Sequence, residues 1–222
     1  MTVACDSIVR QTGGHKIIYM RIPMTSAALL LVISPTLFAH AGHGASGLLA
    51  GATHPVHGLD HLLAMVAVGL MGVRCAAGAT GNRQALWQVP AAFMGSMVIG
   101  GMLAVAGVPL PLAEWGIALS VLVFGVLVAL GTAPRTWVAC VVAGLFAVLH
   151  GHAHVAEMDG GPLTAYMGGF LATTALLHAV GVGGGWILAQ SFKQTSNQTP
   201  IRIAGGAVAL ISPVLFYGLI AG

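Results

Sequence analysis

Charge is what this sequence has least of. Asp and Glu together number 5 and Lys and Arg 8 among 222 residues, 6% in all, where a water-facing globular domain carries about 25%. A chain so poor in charge cannot clothe a solvated surface, which excludes a soluble domain and leaves a bundle whose outside meets lipid. The basic residues stand singly, so despite a net charge of +3 there is no phosphate-tracking patch, and a nucleic-acid partner is excluded. Cysteine is scarce as well. Cys5, Cys75 and Cys140 lie far apart without a C-x-x-C pair and give neither a disulfide nor a thiolate-metal signal. No G-x-x-x-x-G-K-S/T pattern occurs, so the chain itself does not hydrolyse ATP. What it does have is 57% hydrophobic residues, 32 Gly and 10 His. The glycines suit helices that approach closely, and the histidines have no place in an ordinary lipid-facing bundle.

Residues 1–41 read as an N-terminal extension and signal peptide. Met20 and Arg21, the apolar run Ala27 to Phe38 and the small-x-small end Ala39-His40-Ala41 give a basic start, a short hydrophobic stretch and a cleavage site. The polar residues before Met20 add nothing to this pattern, which points to Met20 or Met24 as the true start. Cleavage leaves residues 42–222 as one membrane domain.

Six apolar runs of about 20 residues, enough to cross the hydrocarbon core, fall at 54–73, 86–107, 111–131, 136–155, 162–190 and 201–220. The expected fold is all-α, a bundle of six transmembrane helices with short turns around 78–82 and 194–200. A cleaved signal would leave the mature N-terminus in the periplasm of a bacterial inner-membrane protein. Arg74, Arg83, Arg135, Lys193 and Arg202 then all fall on the cytoplasmic side, the bias that sets orientation.

The histidines are not scattered. In H-P-V-H-G-L-D-H, His54, His57 and His61 take offsets 0, 3 and 7 along one helical face, with Asp60 beside the stripe. In L-H-G-H-A-H-V-A-E, His150, His154 and Glu157 take offsets 0, 4 and 7, while His152 points elsewhere. The two spans run in opposite directions, so both groups reach the same outer membrane level. An ionisable side chain inside a membrane is costly enough to be a functional hypothesis by default. Glu114 enters at that level from the third span, where it fits a ligand or a charge that complements a helix N-terminus. His178 lies deeper, one further step along a path. His57, His150 and His178 are secondary candidates, since a helical His also serves as an interhelical hydrogen-bonder; His152 and Asp159 read as solvated loop residues. Imidazole with carboxylate suits borderline divalent cations such as Ni²⁺, Co²⁺ and Zn²⁺, whereas Mg²⁺ or Ca²⁺ would be held by oxygen alone.

These segments, together with A-H-A-G-H-G at the signal junction, L-P-L-A-E-W-G-I-A-L-S-V and Y-M-G-G-F-L-A-T-T-A-L-L-H-A-V-G, resemble the HupE/UreJ family over nearly all of the mature chain. The resemblance implies a secondary permease for nickel, in some relatives cobalt, associated with hydrogenase or urease maturation. It places the family's H-x5-D-H motif on His54, Asp60 and His61, its third-span carboxylate on Glu114, its H-x-x-E on His154 and Glu157, and a functional aromatic of the second span on Phe93. One departure stands out: Val155 occupies a position where many members have glycine, which alters the local packing.

The expected function is therefore uptake of Ni²⁺ or Co²⁺ from periplasm to cytoplasm, with the ion as substrate, Zn²⁺ as a further possible substrate, and no prosthetic group. Hydrogenase or urease maturation proteins are the expected partners, and the bundle could also form oligomers. Two readings compete with it. Three His and a carboxylate could hold a hydrolytic Zn²⁺, although H-E-x-x-H is absent. A non-transporting metal-binding accessory or sensor protein is the other, although nothing resembling a signalling domain is present.

Overall fold

The structure, a computed structural model, describes residues 47–78, 81–131, 133–158, 161–191 and 199–221. The expected signal peptide, Asp159 and Lys193 lie outside the described residues. Within them every element is helical: α1 Gly47–His57, α2 Leu59–Ala76, α3 Ala85–Val105, α4 Ala113–Ala129, α5 Thr136–Ala156, α6 Leu163–Ser191 and α7 Thr199–Ala221. Helices α2, α3, α5, α6 and α7 are long and apolar enough to cross a membrane, and α4 is apolar but shorter at 17 residues. Leu145, Ile187, Ile203 and Leu210 are exposed on the outside of the bundle, a surface that water would penalise and lipid would not.

The expected first span, 54–73, needs correcting. It is two helices meeting at Gly58, whose backbone is extended at φ −94° and ψ 117°. Pro55 sits near the end of α1 rather than at a helix start. It has no N–H to donate to the preceding turn, so the helix is weakened there and stops two residues later. The apolar run Gly47-Leu48-Leu49-Ala50 starts α1 well ahead of the histidines. His54 and His57 therefore belong to α1, and Asp60 and His61 to the first turn of α2. A corner replaces the single helical face.

Helix α2 is the hub and touches each of the other described helices. Its residues Met65, Val68 and Met71 meet Val89, Phe93 and Met97 of α3, Val121 and Phe124 of α4 and Phe170 of α6 in one apolar core. Around it α3 pairs with α5, α4 with α7 and α1 with α6. Backbone-close packing makes these pairs possible. A Cβ on Gly151 of α5 would land on the Met97 carbonyl oxygen of α3, and one on Gly69 of α2 would land on the His178 carbonyl oxygen of α6. At the end of the bundle away from His61, the Arg74 guanidinium donates to the Gly131 carbonyl, and Arg202 Nε donates to the Ala129 carbonyl at 2.9 Å. Two cations thus satisfy carbonyls at the C-terminus of α4, where the helix dipole favours positive charge.

Gly151→Ala should force α3 and α5 apart and cost about 1–3 kcal/mol, as overpacking does. Gly95→Ala, on α3 with open space at its Cα, should leave stability unchanged. Thermal unfolding of the two variants in detergent measures the difference.

Candidate metal centre

Four imidazoles converge at one end of the bundle. His54 comes from α1, His61 from α2, and His150 and His154 from α5. Ring centroids are 4.6 Å apart for His54 and His154, 4.3 Å for His61 and His154, and 5.2 Å for His61 and His150. Glu157, at the C-terminal cap of α5, brings Oε2 to 3.9 Å from His54 Nε2. One ligand atom each from His54, His154 and Glu157 lies within 4.8 Å of the others, the spacing of a group able to close on one ion. The side chains of His54 and Glu157 are 34% and 53% exposed, whereas His150 and His154 are fully buried. The cluster thus has an accessible edge and a dry floor.

Hydrogen bonds orient two of the rings. His61 Nδ1 donates to Asp60 Oδ1 at 2.6 Å, and the same oxygen accepts the His61 backbone N–H at 2.8 Å. An ionised carboxylate only accepts, so Nδ1 carries the proton and Nε2 the lone pair. His150 Nδ1 donates to the Phe146 carbonyl at 3.0 Å, with the same result. Among the described residues, Nε2 of both buried rings finds no hydrogen-bond partner, and neither nitrogen of His154 does. A carboxylate or carbonyl holding the far nitrogen of a ligand imidazole is the usual support of a protein metal site. Unpaired buried polar atoms are otherwise rare. This donor set fits a borderline divalent ion.

Gly58 keeps the Asp60–His61 contact free. A Cβ there would lie 2.7 Å from His61 Nδ1 and 2.8 Å from Asp60 Oδ1, wedged into the hydrogen bond.

Glu114, in the first turn of α4, lines an open cleft of about 480 Å³ together with Glu157 and His152. Two carboxylates in one cleft repel unless a cation or a shared proton lies between them. Immediately before α4, Leu112 adopts φ +64°, a left-handed conformation costly for a non-glycine residue.

The remaining candidates spread outward and inward. His57 is exposed and donates Nδ1 to the Thr53 carbonyl at 2.7 Å. His152 is helical and half-buried, not a loop residue; its Nε2 donates to the Val108 carbonyl at 2.8 Å. Phe93 is fully buried, with its ring 5.3 Å from His150 and 5.2 Å from His178. Val155 points away from the imidazoles toward Gly101 of α3, whose missing side chain leaves room for it.

Sequence reasoning missed the wall that α6 supplies. The Phe170 ring stands 4.1 Å from His154, and Tyr166 stands 6.1 Å from His54. Tyr166, Phe170, Thr174 and His178 recur every four residues and are all buried. That spacing back from His178 was the available signal, in a chain with 6% aromatics.

Comparison with known proteins bears directly on this arrangement. The HupE / UreJ protein family model matches residues 28–215, a span that takes in every residue of the cluster. The chain belongs to the HupE / UreJ family. Protein HupE of Rhizobium leguminosarum bv. viciae is 43% identical over 202 residues, covering 90% of this chain and 99% of that protein. No solved structure matches the chain. As a HupE / UreJ member with apolar helices of spanning length, it is a multi-pass membrane protein, and the histidine cluster lies at one end of its bundle.

A divalent metal held by this cluster should bind about 10- to 100-fold more weakly in Asp60→Asn and in Gly58→Ala, the usual effect of losing a ligand's supporting partner. Titration of the purified protein in detergent checks this. Retained wild-type affinity in Asp60→Asn would remove Asp60 from the site.

Proposed function

We propose that this chain is a secondary permease of six transmembrane spans. It takes up a divalent transition metal, nickel foremost and cobalt next, from periplasm to cytoplasm for metalloenzyme maturation. The observation that carries this reading is the meeting of His54, His61, His154 and Glu157 from α1, α2 and α5, with buried imidazole nitrogens left unpaired. Stripping water from a dication is expensive, and these nitrogens replace part of its shell while Asp60, Glu114 and Glu157 offset its charge. Membership of the HupE / UreJ family supports the choice of metal and the link to hydrogenase or urease maturation.

In the proposed topology a signal peptide over residues 1–41 is removed and α4, though short, is the third of the six spans. Arg74, Arg83, Arg135, Lys193 and Arg202 then face the cytoplasm. The histidine end faces the periplasm, where His54 and Glu157 meet the incoming ion. The inward-negative potential favours entry of a dication by about 4.6 kcal/mol per 100 mV, twice the unit-charge value. No separate energy source is required.

Cells expressing the wild type should accumulate radioactive nickel, and His154→Ala should lose at least about 90% of that uptake. Ligand imidazoles must be neutral, so uptake should also fall as the outer medium is acidified to about pH 5 and protons compete with the metal. Uptake by His154→Ala at the wild-type rate would overturn the permease reading of this cluster. A zinc hydrolase or a non-transporting accessory protein would give no accumulation in any variant.

A further inference from the structure

The unpaired imidazoles do not end at the cluster. His178 lies on α6 twelve residues beyond Tyr166, about 18 Å further along the helix axis at 1.5 Å per residue. It is 2% exposed, and both of its ring nitrogens are buried with no hydrogen-bond partner among the described residues. A neutral imidazole can donate from one nitrogen and accept at the other, so a histidine retained for packing would be expected to use at least one. Thr174, one turn earlier on the same face of α6, is fully buried and its Oγ1 also lacks a partner. Two unused polar groups therefore share one spot in an apolar interior, where each costs stability.

The rings leading to that spot form a file. From His54 to His154, His61, His150, Phe93 and His178, successive centroids are 4.6, 4.3, 5.2, 5.3 and 5.2 Å apart. Every ring in the file is an imidazole except Phe93, which separates His150 from His178.

We propose that His178, with the Thr174 hydroxyl beside it, is an inner coordination station for the transported metal, entered from the outer cluster past the Phe93 ring. This rests on the reading of the outer cluster as the entry site for a divalent ion. An ion leaving His150 finds no donor until the Phe93 side chain turns aside, and His178 then supplies the next nitrogen. One imidazole and one hydroxyl hold a dication far more weakly than the outer imidazoles and carboxylates do. The inner station is therefore one of passage, favourable enough to enter and weak enough to leave.

The test compares His178→Leu and His178→Gln with the full-length wild type, using Ni²⁺ as the probe. Equilibrium affinity and thermal unfolding are measured in detergent, and initial uptake rates in proteoliposomes. The station predicts unchanged Ni²⁺ affinity, since the outer cluster is intact. It also predicts an unfolding temperature unchanged or raised for leucine, which removes two unpaired ring nitrogens, and uptake at least about tenfold slower in both variants. The glutamine variant, closer in size and able to hydrogen-bond, keeps the comparison sound if leucine disturbs packing. Wild-type uptake rates in both variants would overturn the station and leave the permease reading standing. So would parallel losses of unfolding temperature and affinity in both, which would assign His178 to packing. Absence of nickel accumulation by the wild type would overturn the permease reading and the station together.

Discussion

A neutral imidazole held away from water with a nitrogen unused costs stability, about 1–3 kcal/mol for each unsatisfied group. This bundle holds such nitrogens on His61, His150, His154 and His178. The rest of the architecture makes that cost bearable. Helix α2 lies at the centre and shields the rings, while glycines let α3 close on α5 and α6 close on α2 until backbone nearly meets backbone. Proteins break the rule of satisfied polar groups where function requires it, and here the unpaired imidazole nitrogens fall along one continuous file of rings.

Charge is arranged with equal economy. The carboxyls of Asp60, Glu114 and Glu157 lie at the histidine end, and the guanidiniums of Arg74 and Arg202 lie at the other, bonded to carbonyls at the end of α4. Asp60 reaches the cluster through its neighbour, fixing which nitrogen of His61 is free. Glu114 and Glu157 line an open cleft next to the accessible edge. The three acids thus stand in different settings, one bonded to an imidazole and two lining a cleft, although the sequence presents them alike.

Much of this was legible in the residues. Composition alone fixed the solvent, and apolar run lengths located α3, α5, α6 and α7 to within a few positions. That His54 and His61 would meet His154 followed from opposite helix directions and equal depth, without coordinates. The errors have separate causes. A period of 3.6 was carried through Gly58, although Pro55 and Gly58 together end one helix and start another, and α1 was too short to register as a span. His152 reads as a solvated loop residue because it lies off the face shared by His150, His154 and Glu157, although position 152 falls inside the expected span 136–155 and inside α5. Tyr166, Phe170 and Thr174 went unnoticed because an aromatic or a threonine on an apolar helix looks like packing until its neighbours are known.

Gly58 illustrates how function can constrain a residue that performs no chemistry. Its φ and ψ are open to any amino acid, so the requirement for glycine there is one of volume and not of backbone freedom. Under the proposed metal reading, a saturation screen read out by metal affinity would rank this position among the ligands, although it has no atom to offer an ion. What it contributes is empty space, and that vacancy determines which way the neighbouring ring can turn.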